Sequence, residues 1–290
     1  MKKKYLTVLA GNPRGGDDTF KSLNKYVLEN LDSDLAICTG DKWPISNYLL
    51  NISTYQWIFK EPNNWFDYYE ENYSGYWKEF FNLGKKTGLY NSGNIHFAIK
   101  DIVLKNYLDS ISQYDYIIYS RFDQFYTDYH IDIKDSESIW IPSGENYGGI
   151  CDRHAIVPLK YIESFLNICE YIDKKQAISN PPKYLNCETA FLRHLNYLNL
   201  YKNVSRFNRS QFTASLVSDK TNWRVGKYKV YGYKKLMMKY PDEFIESIRN
   251  SIKVKGSKYI FQEFKLYLNY IYLNFRRKFG LIKKLFKLKL

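Results

Sequence analysis

The first forty residues constrain the fold most. Residues 4–10 (KYLTVLA) are a short run of apolar, β-forming side chains that ends in GNPRGGDD, a glycine-rich turn whose Asp residues and Thr19 suit a helix start. Phe20, Leu23, Leu28 and Leu31 follow at the spacing of an amphipathic helix, and residues 34–39 (DLAICT) read as a second strand. Strand, glycine-rich loop, helix, strand is the βαβ order of an α/β domain.

Further elements are predicted downstream. Residues 40–90 are aromatic and irregular, with Trp43, Trp57, Trp65 and Trp77 among many Tyr and Phe. A helix is predicted over 93–112, a buried strand over 114–120 (YDYIIYS), a short strand over 138–142 (SIWIP) and another at AIVPL, residues 155–159. Helices over 160–172 and 186–198 flank a polar loop at 174–182, a late strand falls within 202–209, and helices follow over 242–252 and 257–290. No internal repeat or low-complexity segment is present.

Composition narrows the class. With 45% hydrophobic and 18% aromatic residues over 290 positions, the chain can bury a core, which excludes a mostly disordered protein. Its cysteines, Cys38, Cys151, Cys169 and Cys187, form no C-x-x-C pair and suit a reducing compartment rather than a zinc module. Residues 5–10 are too short for a signal-peptide core, and no window approaches the ~18 uninterrupted apolar residues of a spanning helix. A cytoplasmic protein, free or bound to a surface, is expected. Net charge is +13, but residues 250–290 alone carry eleven Lys and Arg against one acid, Glu263. A nearly neutral body thus bears a basic tail.

Five segments offer chemistry. In the first, Gly11, Asn12, Pro13, Arg14, Gly15 and Gly16 follow a strand and precede a helix, where backbone amides and an Arg can meet a phosphate; an ordinary strand-to-helix turn reads the same way. In the second, Ser120-Arg121-Phe122-Asp123-Gln124 ends a buried strand, so Asp123 can ligate a divalent metal or pair with Arg121. The third, GENYGGICDRH (144–154), is a glycine loop carrying Asp152, Arg153 and His154, suited to positioning an acceptor or taking up a proton, or else a surface loop of self-paired charges. Cys151 beside His154 admits a thiol nucleophile, without an evident third group to orient it. In the fourth, Asn186 caps a helix and puts Glu188 in its first turn, a position that complementing the helix dipole explains by itself. In the fifth, Arg206 and Arg209 can clamp phosphate oxygens or stay solvated.

The order of these segments resembles the GT-A fold, nucleotide-sugar-dependent glycosyltransferases. The likeness is to small enzymes of bacterial capsule and lipopolysaccharide loci with relatives in large DNA viruses. It rests on GNPRGG, YDYIIYSRFDQFY, WIPSGENYGGICDRHAIV and NCETAFL, spanning about residues 5–210. The resemblance implies a Rossmann-related mixed central sheet flanked by helices. It also implies transfer of a hexosyl or deoxyhexosyl group from a nucleotide-sugar donor to a surface glycan or lipid-linked acceptor. It assigns Gly11, Arg14, Gly15, Arg121, Asp123, Gln124 and Arg206 to the donor, Asp123 to Mn2+ or Mg2+, Asp152 and His154 to the reaction centre, and Glu188 to the acceptor or base role. The usual Asp-x-Asp of this fold reads Arg121-Phe122-Asp123 here, so one carboxylate is replaced by a cation.

The tail completes the picture. From Ile260, apolar residues recur at Phe264, Leu268, Ile271, Phe275, Phe279, Ile282 and Leu285/Phe286, while Arg276, Arg277, Lys278, Lys283, Lys284, Lys287 and Lys289 fill much of the remainder. Such a helix suits an anionic membrane surface, at ~1 kcal/mol per basic residue, or packs on the body with its charges solvated. The expected layout is a catalytic domain over 1–240 and a basic amphipathic segment over 241–290, peripheral to the inner membrane face. The rival is a membrane-peripheral scaffold or carbohydrate-binding protein without turnover. A single-stranded nucleic-acid binder is less favoured, because the aromatics lie mostly in the neutral body, and no nucleic-acid partner is expected.

Overall fold

The opening apolar run forms β1 (Tyr5–Ala10), buried along its whole length. A strand covered on both faces belongs inside a sheet, not at its edge. The structure, a computed structural model, describes residues 3–133, 135–144, 146–219, 228–233 and 235–287, with the side chains of 278–287 excepted. Among the described residues β1 is followed by α1 (Gly16–Leu23), β2 (Ser33–Gly40), β3 (Tyr55–Phe59), α2 (Asn94–Ile111), β4 (Tyr116–Ser120), β5 (Gln124–Tyr126) and β6 (Ile139–Pro142). Then come β7 (His154–Pro158), α3 (Leu159–Leu166), α4 (Cys187–Tyr197), β8 (Val204–Phe207), β9 (Gln211–Leu216), β10 (Leu236–Met238), α5 (Pro241–Lys255), α6 (Ser257–Gln262) and α7 (Phe264–Lys287), with shorter helical turns between.

These elements build two compact units. Met1–Pro13, Leu31–Phe122 and Ile131–Phe207 form the first; Arg14–Asn30, Asp123–His130 and Asn208–Leu290 form the second. The second unit therefore takes in more than the basic segment after residue 240.

The first unit is α/β, with a mixed seven-stranded sheet in the order β3-β2-β1-β4-β7-β6-β8 and helices against it. β7 runs antiparallel to β4 and β6, and the remaining neighbours are parallel. Residues 40–90 are more regular than their composition predicts. They hold β3 and helical turns at Asn47–Ile52, Trp65–Asn72 and Trp77–Leu83. The turns are too short to display a period, and β3 buries only Trp57 among its five residues. Side-chain caps at Ser46 and Asn64 start two of them. The aromatic residues find polar partners: Tyr68 and Tyr73 donate to buried Asp101 at 2.6 and 2.7 Å, and Tyr69 donates to the Asn94 carbonyl at 2.6 Å. Buried hydroxyls need such acceptors.

The second unit has an antiparallel sheet, β10-β9-β5, covered by α1 and α5 to α7. The segment predicted as one helix around Phe20–Leu31 is α1 followed by a π-helical turn, Asn24–Leu28, and a short last turn. The basic tail docks on this unit through one face. Leu266, Asn269 and Leu273 are buried, and the Asn269 side chain accepts from the Tyr231 N–H at 2.8 Å and donates to its carbonyl at 2.9 Å. Phe264, Leu268 and Phe275, expected on one face, share an exposed one. Lys278, Phe279, Ile282, Lys283, Lys284, Leu285, Phe286, Lys287 and Lys289 lie outside the described side chains. Among the described residues no helix is long and apolar enough to cross a membrane.

Candidate functional site

The chain leaves β1 toward β2 on one side and returns to β4 on the other, so the strand order reverses between β1 and β4. Crevices beyond the carboxyl ends of strands at such a reversal are where open α/β sheets take ligands. Leu9 pairs with Ser120, and Ser120 with His154, so these three lie in one row of the sheet. Gly11, Arg121 and the Asp152-Arg153 pair follow immediately beyond that row, at one edge.

The loop from Ser143 to Arg153 is fixed to the start of α4. The Ile150 N–H donates to the Glu188 carbonyl at 3.1 Å, and the Asn186 side chain donates to the Tyr147 carbonyl at 2.9 Å. Asn186 also caps α4, in a reciprocal pair with Thr189. Gly149 makes the approach possible: a Cβ there would lie 2.1 Å from the Glu188 carbonyl carbon and oxygen. Because the obstacle is backbone, it cannot swing aside. Gly149→Ala is expected to cost about 3 kcal/mol, read as a lower urea midpoint with an unchanged slope.

Within this edge sits a dense group of ionisable side chains. Asp152 is 1% exposed. His96, from the first turn of α2, places Nε2 3.1 Å from both the Asp152 main-chain oxygen and Oδ2. One turn along α2, Lys100 is fully buried; its Nζ lies 4.0, 4.5 and 5.2 Å from the ring centres of Phe191, Phe165 and Tyr119 and has no hydrogen-bond acceptor among the described residues. Arg153 Nε lies 3.9 Å from Glu188 Oε1, and its guanidinium lies 5.5 Å from the Tyr147 ring centre.

The environments of the two carboxyls push them in opposite directions. Burial alone would raise Asp152, but His96, Lys100 and Arg153 together hold it well below the usual carboxylate range. Burial also lowers His96, with the Asp152 charge opposing. Lys100 is pulled down to about 8 by burial, with Asp152 opposing. Glu188 is pushed up to about 7 by burial and then by the Asp152 charge, against Arg153 and Arg121. A carboxyl poised near neutrality beside one that stays ionised is a pairing that acid–base chemistry uses.

Some expected site residues are used elsewhere. His154 is wholly buried in β7 with Nδ1 3.1 Å from Ser120 Oγ, so it belongs to the sheet interior rather than an open reaction centre. Cys151 is likewise buried, and all four cysteines are free thiols. The Gly11 N–H donates to the Cys38 carbonyl at 3.1 Å, so that amide is committed within the sheet. Arg206 is exposed and donates to the Pro142 carbonyl and Asn146 Oδ1, both at 3.1 Å, which tethers the loop after β6.

Arg14, Gly15, Asp123 and Gln124 belong to the second unit. There the Gly15 N–H, at the start of α1, donates to Asp219 Oδ2 at 3.0 Å, so a carboxylate of the chain holds the place foreseen for phosphate. Gln124 is buried and donates to Thr213 Oγ1 at 3.2 Å. Asp123 is 7% exposed and receives the Ala214 N–H on its main-chain oxygen at 2.8 Å. Arg209 is also interior, 3.8 Å from Glu243 and 3.9 Å from Glu246, not a solvated clamp. Among the described residues no group of three or more His, Cys, Asp or Glu could hold a metal ion.

His96 and Lys100 are the site residues that motif reasoning passes over. The signal they leave is the Lys100-Asp101 pair inside the apolar stretch FAIKDIV, where a helix face otherwise meant for the core carries charge. No family model and no curated protein matches the chain.

Proposed function

We propose that the chain is a glycosyltransferase that moves a hexosyl or deoxyhexosyl group from a nucleoside-diphosphate donor to a surface glycan or lipid-linked acceptor at the inner membrane face. A mixed, mostly parallel sheet with one reversed strand accords with the GT-A-like resemblance. The observation that carries the reading is Glu188, pushed up to about 7 beside ionised Asp152 at the carboxyl edge of the sheet, with Arg121 and Arg153 adjacent.

In the inverting form of the reaction, the Glu188 carboxylate takes the proton of the acceptor hydroxyl as that oxygen bonds to the anomeric carbon. The bond from that carbon to the donor phosphate oxygen breaks, and the diphosphate leaves with the electron pair. Arg121 and Arg153 supply positive charge where negative charge develops. Asp152, closed in by His96 and Lys100, stays ionised and adds to burial in raising the affinity of Glu188 for its proton. It is therefore a positioning residue, and Glu188 takes precedence over it as base. All of these side chains belong to the first unit. The resemblance would also give Asp123 a Mn2+ or Mg2+ ion, a cation able to neutralise phosphate charge; Asp123 belongs to the second unit, and the roles above rest on the first unit alone.

The test is a panel of nucleoside-diphosphate sugars, with and without Mn2+, scored by rise in melting temperature and by release of nucleoside diphosphate. At least one donor is expected to raise the melting temperature and be cleaved slowly, with Arg121→Ala losing both effects. No response to any donor overturns the proposal and favours a scaffold without turnover.

A further inference from the structure

The faces of α7 differ in what they meet. Leu266, Asn269 and Leu273 point into the second unit, while Phe264, Leu268, Tyr272 and Phe275 are 55, 48, 43 and 59% exposed. Steps of four, four and three put these four in one stripe along the helix, opposite the buried face. The stripe runs about 16 Å at 1.5 Å per residue, and Phe261, 83% exposed, precedes it on α6. Single exposed apolar residues are ordinary, but an aligned row of large ones marks a contact surface.

Charge identifies the occupant. Exposed Lys265 and Arg276 border the stripe. The one acid of residues 250–290, Glu263, is turned to the body, where it binds Lys25 at 2.8 Å and accepts from the Tyr26 hydroxyl. Among the described residues of α6 and α7, the exposed charges beside the stripe are therefore cationic. A straight ridge of Phe, Leu and Tyr, flanked by Lys and Arg, matches the boundary between acyl chains and anionic headgroups. The same spacing continues in the sequence through Phe279, Ile282 and Phe286, among five further lysines.

We infer that the outer face of α7, centred on Phe264, Leu268, Tyr272 and Phe275, docks the protein on an anionic lipid bilayer. The apolar ridge enters the interface and the flanking cations hold the headgroups. This specifies how the proposed enzyme reaches a membrane-bound acceptor, but docking needs no turnover, so the two readings fail separately.

The experiment is cosedimentation of the full chain with phosphatidylcholine vesicles, with and without phosphatidylglycerol, at low and high salt. Wild type is expected to bind only the anionic vesicles, and less at high salt. The variant Phe264→Ser/Leu268→Ser/Tyr272→Ser/Phe275→Ser should bind about tenfold or more weakly. Its melting temperature should fall only slightly, because Phe264, Leu268 and Phe275 are mostly exposed and Tyr272 gives up an edge contact with Tyr231. Equal binding by the variant, or binding that ignores phosphatidylglycerol, overturns the inference. So does a wild-type dimer that the same substitutions dissociate, since a second copy would then cover the face.

Discussion

Glu188→Gln is expected to lower donor turnover by about 10²–10⁴-fold, the usual contribution of a positioned general base. The donor-induced rise in melting temperature should survive, because the amide keeps the size of the side chain and leaves the cap at Asn186 intact. In wild type, kcat/KM should climb as pH rises through about 7, where Glu188 loses its proton; the variant should show no such climb. Stability carries the opposite sign. A carboxyl raised from 4.5 to about 7 binds its proton more tightly in the native state, so stability falls as pH rises through that window. The fall amounts to roughly 3 kcal/mol at most, and it should vanish in Glu188→Gln when urea midpoints are compared at about pH 5 and pH 8.

Asp152→Asn should be the most destabilising substitution in the site. It leaves Lys100, fully buried, without the carboxylate that offsets its desolvation, while Arg153 keeps Glu188 at 3.9 Å. Breaking a buried ionic group from one side costs about 3–5 kcal/mol. Because the Asp152 carboxyl is held low, its stabilisation is complete above the ordinary carboxylate value near ~3.9 and is lost as pH falls through its native value. The difference from wild type should thus be full at neutral pH and shrink in acid. Adding Lys100→Met should recover part of the loss, since the double variant no longer buries an uncompensated ammonium.

Much of the first unit was legible in the sequence because its strands are runs of buried β formers. YLTVLA and YIIYS could only be interior strands. In the second unit the helices were legible but the sheet was not, since β5 is three residues long and β9 (QFTASL) buries polar side chains among apolar ones, so neither shows a clean period. At the site, Asp152 and Glu188 stood out because a glycine loop and a capped helix start announce exposed turns. His154, Gln124 and Arg209 were singled out as well, for the reaction centre, the donor and phosphate, and they lie inside the protein, as Asp152 itself does. Residue type reports what a side chain can do, while the face on which it falls depends on neighbours distant in sequence. His96 and Lys100 were hidden for the converse reason, as members of a helix whose other residues serve the core.

Whether Asp152 tunes Glu188 for proton transfer is tested most directly by following the Glu188 carboxyl carbon by NMR across a pH titration of wild type and Asp152→Asn. A wild-type midpoint near 7 that drops toward the ordinary value in the variant is the predicted result. A wild-type midpoint near 4.5, or one that the substitution leaves unmoved, would contradict it.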